Sequence, residues 1–130
     1  MKLANLDISK HTAKGKKLAN LKSQKFKIAF GTELENKFCF NTNKPQKITD
    51  GLHKFLKETV YKDLSISMVD TKYLRTRGKP IEKIKYGTNN SQLEIQHYGF
   101  NNSSFRIFGF YDDKGYFNVT KLDIDHKTHK

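Results

Sequence analysis

Disulfides are excluded at once, because Cys39 is the single cysteine of a 130-residue chain and has no partner for an intramolecular bridge. Flanked by Phe38 and Phe40, it reads as a small buried apolar residue rather than a nucleophile. No apolar run is long enough for a membrane span, and the N-terminus holds lysines without a continuous apolar h-region. A cytoplasmic protein with no membrane partner is therefore expected. Acid is scarce too: 13 Asp and Glu face 25 Lys and Arg, a formal charge of +12. A field of that sign attracts polyanions, so the expected partners are nucleic acid or an acidic protein. Arginine is rarer still, with Arg75, Arg77 and Arg106 the only three among the basic residues. Lysine suits diffuse attraction to a phosphate backbone, whereas arginine suits bidentate phosphate chemistry.

What is present suits one domain with one core. Residues 1–25 carry Lys2, Lys10, Lys14, Lys16, Lys17, Lys22 and Lys25 against the single acid Asp7. They read as a basic N-terminal arm, flexible or helical, ahead of a single α+β domain over 26–130. Phe26, Ile28 and Phe30 alternate with polar neighbours, as do Phe38 and Phe40 beyond Gly31, which predicts two short strands joined by a turn. Ile48, Leu52, Phe55, Leu56 and Val60 recur at helical spacing, predicting a helix over about 49–61 capped by Thr49 or Asp50. A second helix is expected over 65–74, where Ile66, Val69 and Tyr73 share a face and Gly78 and Pro80 follow. Strands near 81–86, 92–98, 105–111 and 116–122, separated by turn chemistry, predict an antiparallel meander. The expected fold is an antiparallel sheet of four to six strands with two helices on one face.

Loop lengths then set a register. If Asp112–Gly115 is a four-residue hairpin loop, Tyr111 faces Tyr116, Phe108 faces Val119 and Arg106 faces Lys121. If Gly99–Ser104 closes the preceding hairpin, His97 faces Arg106, Ile95 faces Phe108 and Leu93 faces Phe110. One face would then hold an apolar block of Leu93, Ile95, Phe108, Phe110, Phe117 and Val119. Beyond the block lies a row of nitrogen groups, His97, Arg106 and Lys121, with Asp123 two residues on. Opposed cations disfavour each other by up to about 1 kcal/mol, so the row needs a counter-charge. Either Asp123 supplies it or a phosphate does.

Asp123, Asp125, His126 and His129 carry metal-donor atoms, but Asp-x-Asp-His-x-x-His matches no tight ligand spacing, and neighbours in a strand point opposite ways. Neither a metal nor another cofactor is expected. His126 instead suits general acid or base work near neutral pH, against a plain solvated tail. Arg75, Arg77, Lys79 and Lys83 form a second basic cluster, a backbone-contacting patch or an ordinary solvated face. With Lys14, Lys16, Lys17 and Lys127, Arg75 and Arg77 are the candidate nucleic-acid contacts.

A helix pair followed by Leu93-Glu94-Ile95, Phe105-Arg106-Ile107-Phe108-Gly109-Phe110, Tyr116-Phe117-Asn118-Val119 and a basic, His-containing end resembles the RelE/ParE-like toxins of toxin-antitoxin modules, over about residues 48–128. In its ribonuclease branch the resemblance implies metal-independent cleavage of mRNA on the ribosome, and an antitoxin as protein partner. Arg106 and Lys121 would hold the scissile phosphate and His126 would protonate the leaving oxygen. His97, or Glu94 by analogy with members that use a carboxylate, would be the base. The gyrase-poisoning branch shares the fold without this chemistry. The lysine-rich arm and the Phe-rich segment before the helices depart from the family pattern. The rival expectation is a small basic phage or mobile-element protein that binds nucleic acid, or inhibits a nucleic-acid-processing host defence enzyme, without catalysis.

Overall fold

Proline at the first helical position forfeits no hydrogen bond and presets φ, and Pro45 opens α1 (Pro45–Glu58) in this way. In the computed structural model, which describes residues 21–42, 44–75, 82–86 and 91–125, the helix thus begins a turn earlier than the Thr49 or Asp50 cap expected from sequence. Ile48 and Phe55 are its buried stripe. It ends at Thr59, whose hydroxyl donates to the Phe55 carbonyl at 2.7 Å. A 3-10 turn, Val60–Lys62, and Asp63 in the left-handed region at φ 58° reverse the chain. Ser65 then caps α2 (Ile66–Tyr73), its side chain accepting from the Met68 amide at 3.3 Å. Such a cap stabilises by about 1 kcal/mol.

The sheet has five strands in the order β1-β5-β4-β3-β2, with β1 (Lys27–Ala29), β2 (Glu82–Tyr86), β3 (Ser91–Gly99), β4 (Arg106–Tyr111) and β5 (Tyr116–Asp123). The meander β2–β5 is antiparallel, as expected. β1 is parallel to β5, pairing Lys27 with Tyr116 and Ala29 with Asn118, so the sheet is mixed and the all-antiparallel expectation is corrected. The expected pairing of 26–30 with a short strand at Phe38 and Phe40 does not form either. Beyond β1 the chain follows the β5 edge through Glu35 N to Thr120 O and Leu122 N to Phe38 O, each 2.8 Å. Lys37, at φ 75°, interrupts any strand there. A non-local partner has claimed the backbone groups that a local turn would have paired.

Both helices bury their stripes on one face of the sheet. Ile48 and Phe55 of α1 and Ile66 and Val69 of α2 join Phe26, Tyr98, Ile107, Phe117, Val119 and Leu122 in one core. Edge-to-face rings organise it: Phe26 lies 5.8 Å from Phe55 and 5.7 Å from Tyr98, at interplanar angles of 83° and 80°. Such pairs add about 0.5–1.5 kcal/mol each beyond area burial. Leu21 belongs to this core as well, and Phe26 N and Gln24 O bond across to Leu64 O and Ile66 N, so the packed body begins before Phe26. Residues 1–20 of the expected basic arm lie outside the described residues.

Candidate functional site

Two one-residue departures from the expected register decide what the opposite face contains. Asp112 N bonds Tyr116 O, which leaves a three-residue loop, Asp113-Lys114-Gly115, with Gly115 at φ 88°. A loop of this length takes a left-handed glycine at its last position, which moves Tyr111 from Tyr116 to Phe117. Between Phe108 and Gly109 the ladder then bulges, with Phe108 opposite Lys121 but Gly109 opposite Val119, so Thr120 is the inserted residue. The expected pairing of Arg106 with Lys121 is thereby corrected, and that with His97 is corrected by a separate two-residue shift in the β3–β4 ladder, which sets Gly99 opposite Arg106. Arg106 lies between Gly99 and Asp123, and Phe108 lies between His97 and Lys121. Phe117 and Val119 have crossed to the helix side, leaving Ile95, Phe108 and Phe110 as the apolar cluster of the second face. Because the displacement totals two residues in each ladder, His97, Arg106 and Lys121 still share that face.

All three are buried: His97 is 3% exposed, Lys121 7%, Arg106 8%, and Asp123 only 1%. The His97 ring stacks on Phe108 at 4.5 Å and 8°. The Lys121 ammonium sits 5.1 Å from the Phe108 ring and 5.2 Å from that of Phe38, with Glu35 Oε1 at 3.7 Å. Two ring faces and a carboxylate thus surround a desolvated cation, a setting in which each cation–π contact reaches about 2 kcal/mol. Arg106 is turned toward the loop after β3. Its Nη1 donates to the carbonyls of Ser103 at 2.6 Å, Phe105 at 2.8 Å and Phe100 at 3.3 Å. Its stem crosses Gly99, where an added Cβ would stand 2.4 Å from Arg106 Cδ. Burial lowers the Arg106 pKa, and the nearby Arg75 charge adds to this, while Asp123 opposes both. The counter-charges that the row requires come from the chain itself, Asp123 beside Arg106 and Glu35 beside Lys121.

The other candidates do not join them. Glu94 pairs with Lys83 in the β2–β3 ladder and is exposed, and it lies three residues from His97, hence on the other side of the pleat. Arg75 is half-buried, donating its amide to His97 O at 2.9 Å and its Nη2 to Asn101 Oδ1 at 2.6 Å. Lys14, Lys16, Lys17, Arg77, His126 and Lys127 lie outside the described residues. At the end of β5 a cleft of about 390 Å³ opens between residues 37–39, 41, 42, 44 and 48 on one side and 122–125 on the other. Its acid Asp125 takes Lys44 at 3.3 Å and Lys47 at 3.7 Å. Cys39 lines the same cleft. Among the described residues no group of three or more His, Cys, Asp or Glu is placed to hold a metal.

Sequence reasoning missed a polar cluster on the helix side. Tyr98 OH donates to Asp70 Oδ1 at 2.6 Å and meets Tyr111 OH at 2.5 Å, and Lys22 pairs with the other Asp70 oxygen. Burial pushes both tyrosines well above the ordinary phenol range; for Tyr98 the Tyr111 and Asp70 charges add to it, and for Tyr111 the Tyr98 hydrogen bond works against it. The cluster ties the N-terminal segment, α2, β3 and β4 together. Its one sequence signal was tyrosine at helix-facing strand positions, legible only with the correct register.

The exposed surface is lysine-rich. Lys25, Lys27, Lys37, Lys44, Lys47, Lys54, Lys57, Lys62, Lys72 and Lys114 are all exposed. On α1, Lys47, Lys54 and Lys57 stand on the solvent side, opposite Ile48 and Phe55. Comparison of the chain with family models, curated proteins and solved structures returns no match. No helix among the described residues is long and apolar enough to cross a membrane.

Proposed function

We propose that the protein binds nucleic acid through its exposed lysines, and that His97, Arg106 and Lys121 act in the fold rather than in catalysis. The carrying observation is the division between two kinds of cation. Those inside have their compensation in the chain, Lys121 from Glu35 and two rings, Arg106 from three carbonyls and Asp123. Those outside have acidic partners for only some of their number, Lys25 with Asp63, Lys44 and Lys47 with Asp125 and Lys62 with Glu58, and with a formal charge of +12 they form a field that attracts phosphate. Backbone binding of this kind releases counterions, so affinity falls with salt. Fluorescence anisotropy with a labelled oligonucleotide between 50 and 200 mM salt tests it. The expected result is a linear fall of log K with log salt, made shallower by Lys47→Ala, Lys54→Ala and Lys57→Ala together. Absence of binding at low salt, or a flat salt response, refutes it.

The RelE-like endoribonuclease reading keeps one support, the order of helix pair and then antiparallel meander. It requires the Arg106 guanidinium to leave its three carbonyls for a phosphate, and a general acid at His126. Incubation with translating ribosomes separates the two readings. Intact mRNA with wild-type protein eliminates the nuclease, whereas cleavage lost in Arg106→Ala, with the fold retained, favours it.

A further inference from the structure

All but two of the ten phenylalanines are buried or half-buried; Phe30 is 49% exposed and Phe40 is 51% exposed. They are not scattered. Phe30 directly follows the edge strand β1, Phe40 follows the Phe38 that turns inward over Lys121, and the two rings stand 5.7 Å apart at 58°. Exposed Lys27 precedes Phe30 by three residues, and exposed Lys37 precedes Phe40 by three. Of the two acids in the intervening segment, Glu35 pairs with Lys121 and Glu33 is exposed. From Lys27 to Phe40 the charges balance, two lysines against two glutamates, and because Glu35 is engaged with Lys121 the exposed Lys27 and Lys37 face only Glu33; Lys25 and Lys44 at the flanks are paired with Asp63 and Asp125.

Two half-exposed rings on a segment that also carries exposed Lys27 and Lys37 meet the needs of one kind of ligand well. Unpaired bases have open π-faces that stack on aromatic side chains, while the phosphates between them seek cations. In a duplex those faces are hidden. A protein partner would need a larger apolar centre than two rings, and cations at the centre of an interface disfavour it. Resting on the nucleic-acid reading above, we infer that Phe30 and Phe40 form a stacking platform for single-stranded nucleic acid, with Lys27 and Lys37 taking the adjoining phosphates.

The chain has no tryptophan, so Phe40→Trp in the full-length protein supplies a single tryptophan at the platform, excited at wavelengths where the six tyrosines do not absorb. Oligothymidine and oligouridine are expected to quench it, and a duplex of equal phosphate count is not. Phe30→Ala and Phe40→Ala should each weaken single-strand binding about 5- to 150-fold, the range that follows from about 1–3 kcal/mol per stacked base. Duplex affinity should stay within about twofold and the salt slope should not change. Both rings being exposed, the variants should melt close to wild type, and a melting curve checks that. Unaltered single-strand affinity in both alanine variants overturns the platform while leaving the lysine surface standing. So does an equal loss of single-strand and duplex binding. Failure of the wild type to bind either form removes the nucleic-acid reading and the platform together.

Discussion

Arg106→Ala separates a structural arginine from a phosphate-holding one. Its Nη1 serves three carbonyls within a six-residue span, Phe100, Ser103 and Phe105, so the guanidinium closes the turn between β3 and β4. A hydrogen bond from a charged donor contributes about 1.5–3 kcal/mol, but one nitrogen shared among three acceptors cannot supply three such amounts. The loss also leaves Asp123, 1% exposed, facing a neutral position across the ladder. Together these set the expected destabilisation at about 2–4 kcal/mol, a large part of a stability of roughly 5–15 kcal/mol. Urea denaturation followed by circular dichroism reads it, as a midpoint about 1–2 M lower for an m-value of about 2 kcal/mol/M. Arg106→Lys keeps charge opposite Asp123 but lacks the planar fork, and should recover part of the loss. Oligonucleotide affinity, measured where the variant is folded, should change less than about threefold. A variant as stable as wild type that has lost more than tenfold in affinity would refute the assignment and return Arg106 to the phosphate.

The buried tyrosines predict alkaline sensitivity. Tyr98 and Tyr111 have folded-state pKa values raised above the unfolded value near 10. The stability they contribute is fully present below about pH 10 and is lost as pH climbs toward the folded values, because the unfolded chain releases those protons first. Urea midpoints from pH 8 to 11 should fall more steeply in wild type than in the Tyr98→Phe/Tyr111→Phe double variant, and parallel curves would refute it. At the β4–β5 hairpin, Asp112 accepts from Lys114 N at 2.9 Å, Tyr116 N at 3.0 Å and Asn118 Nδ2 at 2.9 Å. Asp112→Ala should therefore cost about 1–2 kcal/mol in the same denaturation assay, while a change below about 0.5 kcal/mol would show that the turn holds without it.

The two helices follow from apolar spacing and the meander from the strand–turn alternation of 91–123, signals carried within a few residues. Pro45, which opens α1 ahead of the expected Thr49 or Asp50 cap, is as local a signal, but the composition around it reads equally as a loop. The segment after β1 defeated that logic. Phe38 and Phe40 alternate like a strand, but the backbone groups there bond β5, more than eighty residues away in sequence. No pattern within 26–40 distinguishes an edge-following coil from a hairpin arm. The Tyr98–Asp70–Tyr111 cluster was hidden for the same reason, since α2 supplies its carboxylate and the sheet its hydroxyls.

The row on the second face is a different case, in which two errors cancelled in one respect and compounded in another. The period of a strand is two, so a slip of one residue inverts a face and a slip of two restores it. Between β4 and β5 the three-residue loop ending at Gly115 supplies one slip and the bulge at Thr120 the second, and between β3 and β4 the pairing is shifted by two residues, Gly99 standing opposite Arg106. Face membership therefore survived for His97, Arg106 and Lys121. Neighbourhood did not, because a two-residue slip moves each partner about 7 Å along the strand. That displacement is what inserts Phe108 between His97 and Lys121 and brings Asp123 opposite Arg106. The chemistry turns on neighbourhood. Adjacent cations with no counter-charge would call for a phosphate, whereas a cation beside a carboxylate and another between two rings are already balanced within the fold. The same three nitrogen groups on the same face thus change from a reason to expect an anion into a reason to look for it elsewhere, among the lysines that face solvent.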